Sequence, residues 1–349
     1  MKSTFEYGFA KVRDLRAHTR PAIKSGLPQV TGIELNGQMH KPTSRFWSSF
    51  FRRFQLTENI FRYFSHAEVF DRIAQQARNQ AFRYCVERND LGEGRLLAAT
   101  RPDRPLIVYQ EICDLAERYD AQEIEYEDGV VTSRHIPRSG DYPIQIGSDE
   151  FRQRFVLDTP IDGYGVPRIH LSMLRTVCTN GMIGYAAAFR SELSQGKDVA
   201  YGITRALDSF DNFDGYAALR QRFDSAQRSW ASIRETQELY RLLLKTELRR
   251  GLMQESILGR FYSVTGRIQE LYGLANLEAL SVKRQRVLPA KCRVYDLMNF
   301  ASEVGTHHAT ARGNRLLQSF LGTLVSDEYD LEGTGDKVPE FNDFFISQN

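Results

Sequence analysis

Cysteine is scarce in this chain of 349 residues, and its four copies are widely spaced, at Cys85, Cys113, Cys178 and Cys292. No two stand at the C-x2-C spacing of a zinc knuckle. A chain this long and poor in cysteine does not rest on a disulfide framework, so four reduced, mostly buried thiols are expected. Long apolar runs are missing as well. Nothing approaches the ~18 residues of a membrane-spanning helix, and the opening MKSTFEYGFAKVRDLR lacks the apolar stretch of a signal peptide. A cytoplasmic protein with no membrane partner is expected.

Neither sign of charge dominates. Lys and Arg number 46 against 44 Asp and Glu, a formal charge of +2. That excludes a global polycation and leaves any attraction for phosphate to local clusters. The phosphate-loop pattern G-x4-G-K-[ST] is absent, since LGEGR and YGVPR do not supply it, and no dinucleotide fingerprint follows a strand. Nucleotide hydrolysis is therefore not expected, and neither is a cofactor. Internal repeats and low-complexity tracts are missing too.

Aromatic residues are plentiful, with 22 Phe and 16 Tyr, enough for large cores or stacking sites. The pattern predicts an α+β protein. An antiparallel sheet in the N-terminal half is flanked by helices, and the C-terminal half is mostly helical. Residues 1–45 are punctuated by Pro21, Gly26, Pro28, Gly32, Gly37 and Pro42 and read as an irregular arm with one short strand at TGIEL. Residues 46–190 read as a helix plus antiparallel-sheet domain. Phe46, Trp47, Phe50, Phe51 and Phe54 recur at helical spacing. Ser65 and Glu68 form a capping box before a helix whose apolar face is Val69, Ile73 and Ala77. FRYCVERND and RPLIVYQEI read as strands joined at LGEGR, and EIEYEDGVVTSRHI as a hairpin turning at Asp-Gly. Residues 191–326 read as a helical region packed on that domain, with Tyr216 to Leu248 forming one long amphipathic helix or two. Residues 327–349 form an acidic tail. The boundary between the halves is expected near residue 190.

Several stretches resemble one known family. RTVCTNGM at 175–182, YFSHAEVFDRI at 63–73 and YDLMNFASEVGTHHATARGNRLLQSFLGTLV at 295–325 are similar to the "phage/plasmid-like protein" family, domain of unknown function number 932. The resemblance implies a mobile-element setting in a bacterial host cell, beside anti-restriction and DNA-metabolism genes. It implies no reaction. It marks Arg175, Cys178, Thr179, Asn180 and Gly181 as the family motif. The family commonly carries Asp-Gly-Ser-Ser before the cysteine-bearing strand. Here Asp162-Gly163 is kept and Tyr164-Gly165 replaces the two hydroxyl residues.

Cys178 as a nucleophile would need a base and an orienting partner, and none of the seven histidines stands out. On an alternating strand it points away from Arg175. Packing is the simpler role, with Asn180-Gly181 as the turn that ends the strand. Thr179 and Asn180 are left as residues that could face DNA or a ligand. His307 and His308 are adjacent and diverge by about 100° on a helix, so they rarely share a metal. Glu303 with His307 lacks a visible third ligand, and no metal is expected.

The best binding candidate is the block from Arg45 to Tyr63, where arginines and aromatics interleave. That pattern suits phosphate contact and base stacking, or equally a helix that buries its rings and solvates its cations. Arg45, Trp47, Arg52 and Arg53 are its named members. Lys283, Arg284 and Arg286 lie in a second basic stretch, and Arg312 and Arg315 stand three apart near the double histidine. The expectation is a non-enzymatic nucleic-acid-binding protein, single-stranded DNA favoured, acting in replication, recombination or protection of a mobile element's DNA, with strand binding or annealing as its activity. Self-association or a host or phage protein partner is compatible with this. The alternatives are an interaction or assembly protein without nucleic-acid binding, and a metal-dependent nucleic-acid enzyme.

Overall fold

The computed structural model describes residues 3–21, 28–147, 149–175, 181–183, 190–193, 198–273, 280–326, 329 and 331. The chain is α+β, as its composition and patterning predict. It divides into two units. The first comprises Met1–Ser133, Asp158–Pro167 and Leu193–Leu207. The second comprises Arg134–Leu157, Arg168–Glu192 and Asp208–Asn349.

The first unit opens with four strands, β1 (Thr4–Lys11), β2 (Leu15–Pro21), β3 (Pro28–Leu35) and β4 (Gln38–Pro42), followed by helices α1 (Ser44–Phe54) and α2 (His66–Ala77). Strands β5 (Ala81–Arg88) and β6 (Gly94–Thr100), helix α3 (Tyr109–Arg118), strand β7 (Glu123–Glu127) and most of strand β8 (Val130–His135) follow. Six strands form one sheet in the order β1-β5-β6-β4-β3-β2, and its pairs are antiparallel except β4 with β6. The described part of residues 1–45 is therefore no irregular arm. Pro21, Pro28 and Pro42 lie at strand ends, Gly37 in a turn and Gly32 within β3, while Gly26 lies outside the described residues. Pro21 closes β2, Pro28 opens β3, and Asn36-Gly37 turns β3 into β4 with φ of 50° and 80°. Two successive positive φ values are the mark of a tight hairpin turn that only Gly and Asn adopt readily. A Cβ on Gly37 would meet nothing within 4 Å, so the cost of adding one is purely conformational. Gly37→Ala is expected to lower stability by about 1–2 kcal/mol, read as a shift in the urea midpoint. An unshifted midpoint would contradict this account of the turn.

One other expectation in this unit needs correction. RPLIVYQEI is not a strand: the partner of β5 is Gly94–Thr100, and Tyr109–Arg118 is helical. Ile112, Leu115 and Ala116 are buried at helical spacing, and the apolar run Leu106–Val108 hides that period. The Asp128-Gly129 turn is present, with φ of 42° and 83°. So is the Ser65–Glu68 capping box.

Helix α1 is fixed to the sheet by polar groups at its start and middle. Thr43 caps it, accepting from the Phe46 N–H and donating to the Leu96 carbonyl, each at 3.0 Å. Ser49 Oγ donates to the Phe46 carbonyl (2.7 Å) and accepts from the Ala99 N–H (2.9 Å). Phe46 and Phe50 are wholly buried beneath, each stabilising by about 1.5–3 kcal/mol. Gln55, with φ of 55°, ends the helix. Arg52 and Arg53 are thereby held in its last turn.

The second unit holds β9 (Pro143–Ile146), most of β10 (Asp149–Pro160), β11 (Arg168–Arg175), β12 (Gly181–Ile183) and β13 (Arg190–Glu192). Strand β9 pairs with β10, while β12 and β13 pair with β11. Gly181 opens β12 opposite Leu174, so it stands in a strand and not in the turn expected for it. Helix α4 (Val199–Ser209) belongs almost wholly to the first unit. The second unit continues with α5 (Phe213–Arg228), β14 (Trp230–Ser232), α6 (Ile233–Lys245), α7 (Gln254–Thr265), α8 (Ile268–Tyr272), α9 (Val282–Val287), β15 (Pro289–Arg293), α10 (Val294–Glu303) and α11 (Ala311–Leu324). The stretch from Tyr216 to Leu248 is thus two helices with a short strand between them. Ser232 and Glu235 start the second with a capping box. The single boundary near residue 190 is not found. Strand β10 is twelve residues long and runs from one unit into the other, a crossing that composition does not mark.

Candidate functional site

The strongest site in the described residues is a cleft of about 760 Å³ in the first unit. Three pieces of chain form it. The last turn of α1 brings Arg52 and Arg53, the connection into β5 brings Gln80 and Ala81, and the end of β6 with the loop after it brings Thr100, Arg101, Asp103 and Arg104. Tyr164 completes the wall. Four guanidiniums therefore converge where one carboxylate, Asp103, stands. Asp103 is already engaged by Arg101, at 2.7 Å.

The loop is rigidly held. Arg83 donates to the Pro102 carbonyl (2.7 Å) and the Arg104 carbonyl (2.5 Å), and Arg104 Nη2 donates to the Gly165 carbonyl (3.0 Å). Arg53 reaches back to the Ala81 carbonyl (3.2 Å). Burial, with repulsion from Arg101, holds the Arg53 guanidinium below the ordinary arginine value. Burial does the same to Arg104, with repulsion from Arg52 and Arg101. Both remain charged at any physiological pH. Burial is the larger cause of both shifts, and the neighbouring guanidiniums add to it while Asp103 and Asp162 oppose it. Arg53 Nε, Arg104 Nε and Thr100 Oγ1 are buried and have no protein partner. An anion in such a cleft would meet surplus positive charge and unused donors.

Sequence reasoning finds Arg52 and Arg53 but misses Thr100, Arg101 and Arg104. The signal was present in TRPDRP, where two prolines stiffen a loop bearing two arginines. The strand reading of RPLIVYQEI, which begins at Arg104, hides it.

Two residues of the expected surface have other work. Arg45 does not face the cleft as a free cation. Its Nη2 donates to Asp162 Oδ1 at 2.9 Å, its Nε to Oδ2, and Nη2 also to the Tyr164 carbonyl. The Tyr164 N–H donates to Asp162 Oδ1 at 2.9 Å, and the Arg45 guanidinium lies 5.3 Å from the Tyr164 ring centroid. The Asp162 side chain is 0% exposed. Burial pushes its carboxyl above the ordinary aspartate value while Arg45 pulls the other way. Trp47 is half-buried among other rings. It packs against Phe46, Phe50, Phe51, Phe61 and Phe70 beside the core of the first unit.

The remaining basic residues belong to the second unit. Arg284 and Arg312 are exposed, on α9 and α11. Arg286 stands 5.3 Å from the Tyr329 ring centroid, and Arg315 is half-buried on α11. Of Lys283, only the backbone in α9 is described. Cys178, Thr179 and Asn180 lie outside the described residues, and so does the acidic tail apart from Tyr329 and Leu331. Arg175 is paired with Asp149 at 2.6 Å, and Asp149 also accepts from the Tyr295 hydroxyl at 2.6 Å. A second cavity, of about 500 Å³, is lined by Arg175, Arg260, Cys292 and Glu303. Its arginines are engaged internally. Arg260 donates to Glu303 and lies 3.1 Å from His308 Nε2, in the π-helical turn Val304–His308. Burial pushes the Cys292 thiol up, which leaves it inert as a nucleophile.

Among the described residues no helix is long and apolar enough to cross a membrane, and no three His, Cys, Asp or Glu side chains are grouped to hold a metal ion. Comparison with protein-family models, with curated proteins and with solved structures finds no match. The resemblance to the phage/plasmid-like family rests on the quoted segments alone.

Proposed function

We propose that this chain binds nucleic acid, single-stranded DNA above all, by seating backbone phosphates in the arginine cleft of its first unit. The observation that carries the reading is the convergence of Arg52, Arg53, Arg101 and Arg104 on one cleft against a single carboxylate. Guanidiniums match phosphate oxygens in geometry and charge. A concave cleft suits a flexible single strand, and the Tyr164 ring in its wall offers a face for a base. The resemblance supplies the setting, the DNA of a mobile element in a bacterial cytoplasm, in replication, recombination or protection. No reaction is proposed.

Binding measured by fluorescence anisotropy on a labelled single strand tests it. Four phosphate contacts predict a slope of log affinity on log salt of about −2.8, or roughly a fiftyfold loss between 50 and 200 mM salt. No binding at 50 mM salt would overturn the reading and leave a protein partner as the alternative.

A further inference from the structure

We infer that the cleft floor takes a phosphomonoester, the terminal phosphate of a nucleic-acid strand, with the Thr100 hydroxyl as the selective donor. The inference rests on the phosphate reading above and narrows it to strand ends.

Thr100 is the observation that carries it. It is the last residue of β6, only 4% exposed, and its hydroxyl has no protein partner although it lines the cleft. An unpaired buried hydroxyl costs stability, and a valine at the end of a strand would fit the same volume without that cost. Arg53 Nε and Arg104 Nε are unpaired in the same cleft. A side chain at Gly163 would crowd the hydroxyl, since a Cβ there would stand 3.3 Å from Thr100 Oγ1.

These buried donors share the cleft lining with exposed cations. Arg52 and Arg101 are open to solvent, whereas Thr100 is buried and Arg53 and Arg104 are half-buried. An internal phosphodiester is tethered on both sides and offers one charge and two free oxygens. It can lie along the exposed arginines. A terminal phosphate is tethered on one side only and enters head first. It carries between −1.5 and −2 charges at neutral pH and three acceptor oxygens. That matches a floor of one hydroxyl and two guanidinium N–H groups under surplus positive charge.

The experiment compares one labelled strand bearing a hydroxyl at both ends with the same strand phosphorylated at its 5′ or its 3′ end, in anisotropy titrations at 50 mM salt. A phosphorylated form is expected to bind about tenfold more tightly. Thr100→Val should bring the ratio of the two affinities, phosphorylated over hydroxyl-ended, to about 1, and melt no lower than the wild type. Thr100→Ser, which keeps the hydroxyl, should keep the preference. Equal affinity for all ends in the wild type would overturn the inference and leave backbone binding standing. A preference that survives in Thr100→Val would overturn it too. So would a free mononucleotide monophosphate that competes as strongly as the phosphorylated strand. If no strand binds, the functional reading itself falls and this inference falls with it.

Discussion

Reversing the charge at Arg52 and Arg53 together is expected to cut single-strand affinity by about a hundredfold or more at 50 mM salt and to flatten the salt slope by about 1.4. Both numbers follow from removing two phosphate contacts, and the new carboxylates add repulsion to the loss. The substitution has a structural cost that must be separated from the binding effect. Both residues lie in the last turn of α1, where cations complement the helix dipole and carboxylates oppose it by about 0.3–1 kcal/mol each. Arg53→Glu also gives up the bond to the Ala81 carbonyl. The Arg52→Glu/Arg53→Glu variant should therefore melt somewhat lower yet still fold. Arg101→Ala provides the independent check. Its side chain is 71% exposed and pairs only with its loop neighbour Asp103, so its removal leaves the fold untouched. It also frees the Asp103 carboxylate to face the cleft. Affinity should drop about tenfold with an unchanged melting curve. A double variant that folds and binds with wild-type affinity and slope would refute the cleft as the binding surface.

The parts of this fold that were legible in the sequence are those governed by local chemistry. The Ser65–Glu68 capping box, the Asp128-Gly129 turn and the aromatic face of α1 each occupy a few adjacent residues, and each forms as its residues dictate. Apart from RPLIVYQEI, where a local apolar run hides the helical period, the differences come from pairing across long stretches of chain. β1 is ordered by β5, more than seventy residues on, and β4 by β6. Nothing within residues 1–45 signals partners so far away, so their glycines and prolines read as irregularity. The site shows the same division. Arg52 and Arg53 were found from their neighbours, but whether they face a cleft depends on residues 80–81 and 100–104. Arg45 sits in the same basic-aromatic block and looked equivalent. Its fate was decided by Asp162, 117 residues away.

That distant pair is where the largest loss of stability is expected. Arg45→Ala should cost about 3–5 kcal/mol, because it strands the Asp162 carboxylate in a site with no exposure and no other cation bonded to it. The pair itself need not be a net stabiliser, since desolvating both charges offsets much of their attraction. The two statements are separable by experiment. Asp162 Oδ1 also accepts from the Tyr164 N–H, so a neutral replacement must keep an oxygen there, and Asn does. The double variant Arg45→Met/Asp162→Asn fills the volume, removes both charges and preserves that acceptor. It should recover most of the loss, and urea unfolding of the single and double variants measures the difference. If Arg45→Ala costs less than about 1 kcal/mol, the clamp is an incidental contact. The clamp also bears on binding. Asp162, Tyr164 and Gly165 belong to one turn, and that turn supplies both the Tyr164 ring in the cleft wall and the carbonyl that positions Arg104. Loosening it moves cations that never touch Arg45. Arg45→Ala should therefore weaken strand binding while leaving the salt slope at the wild-type value, because no phosphate contact is deleted. A slope reduced by about 0.7 would instead mean that Arg45 contacts phosphate directly.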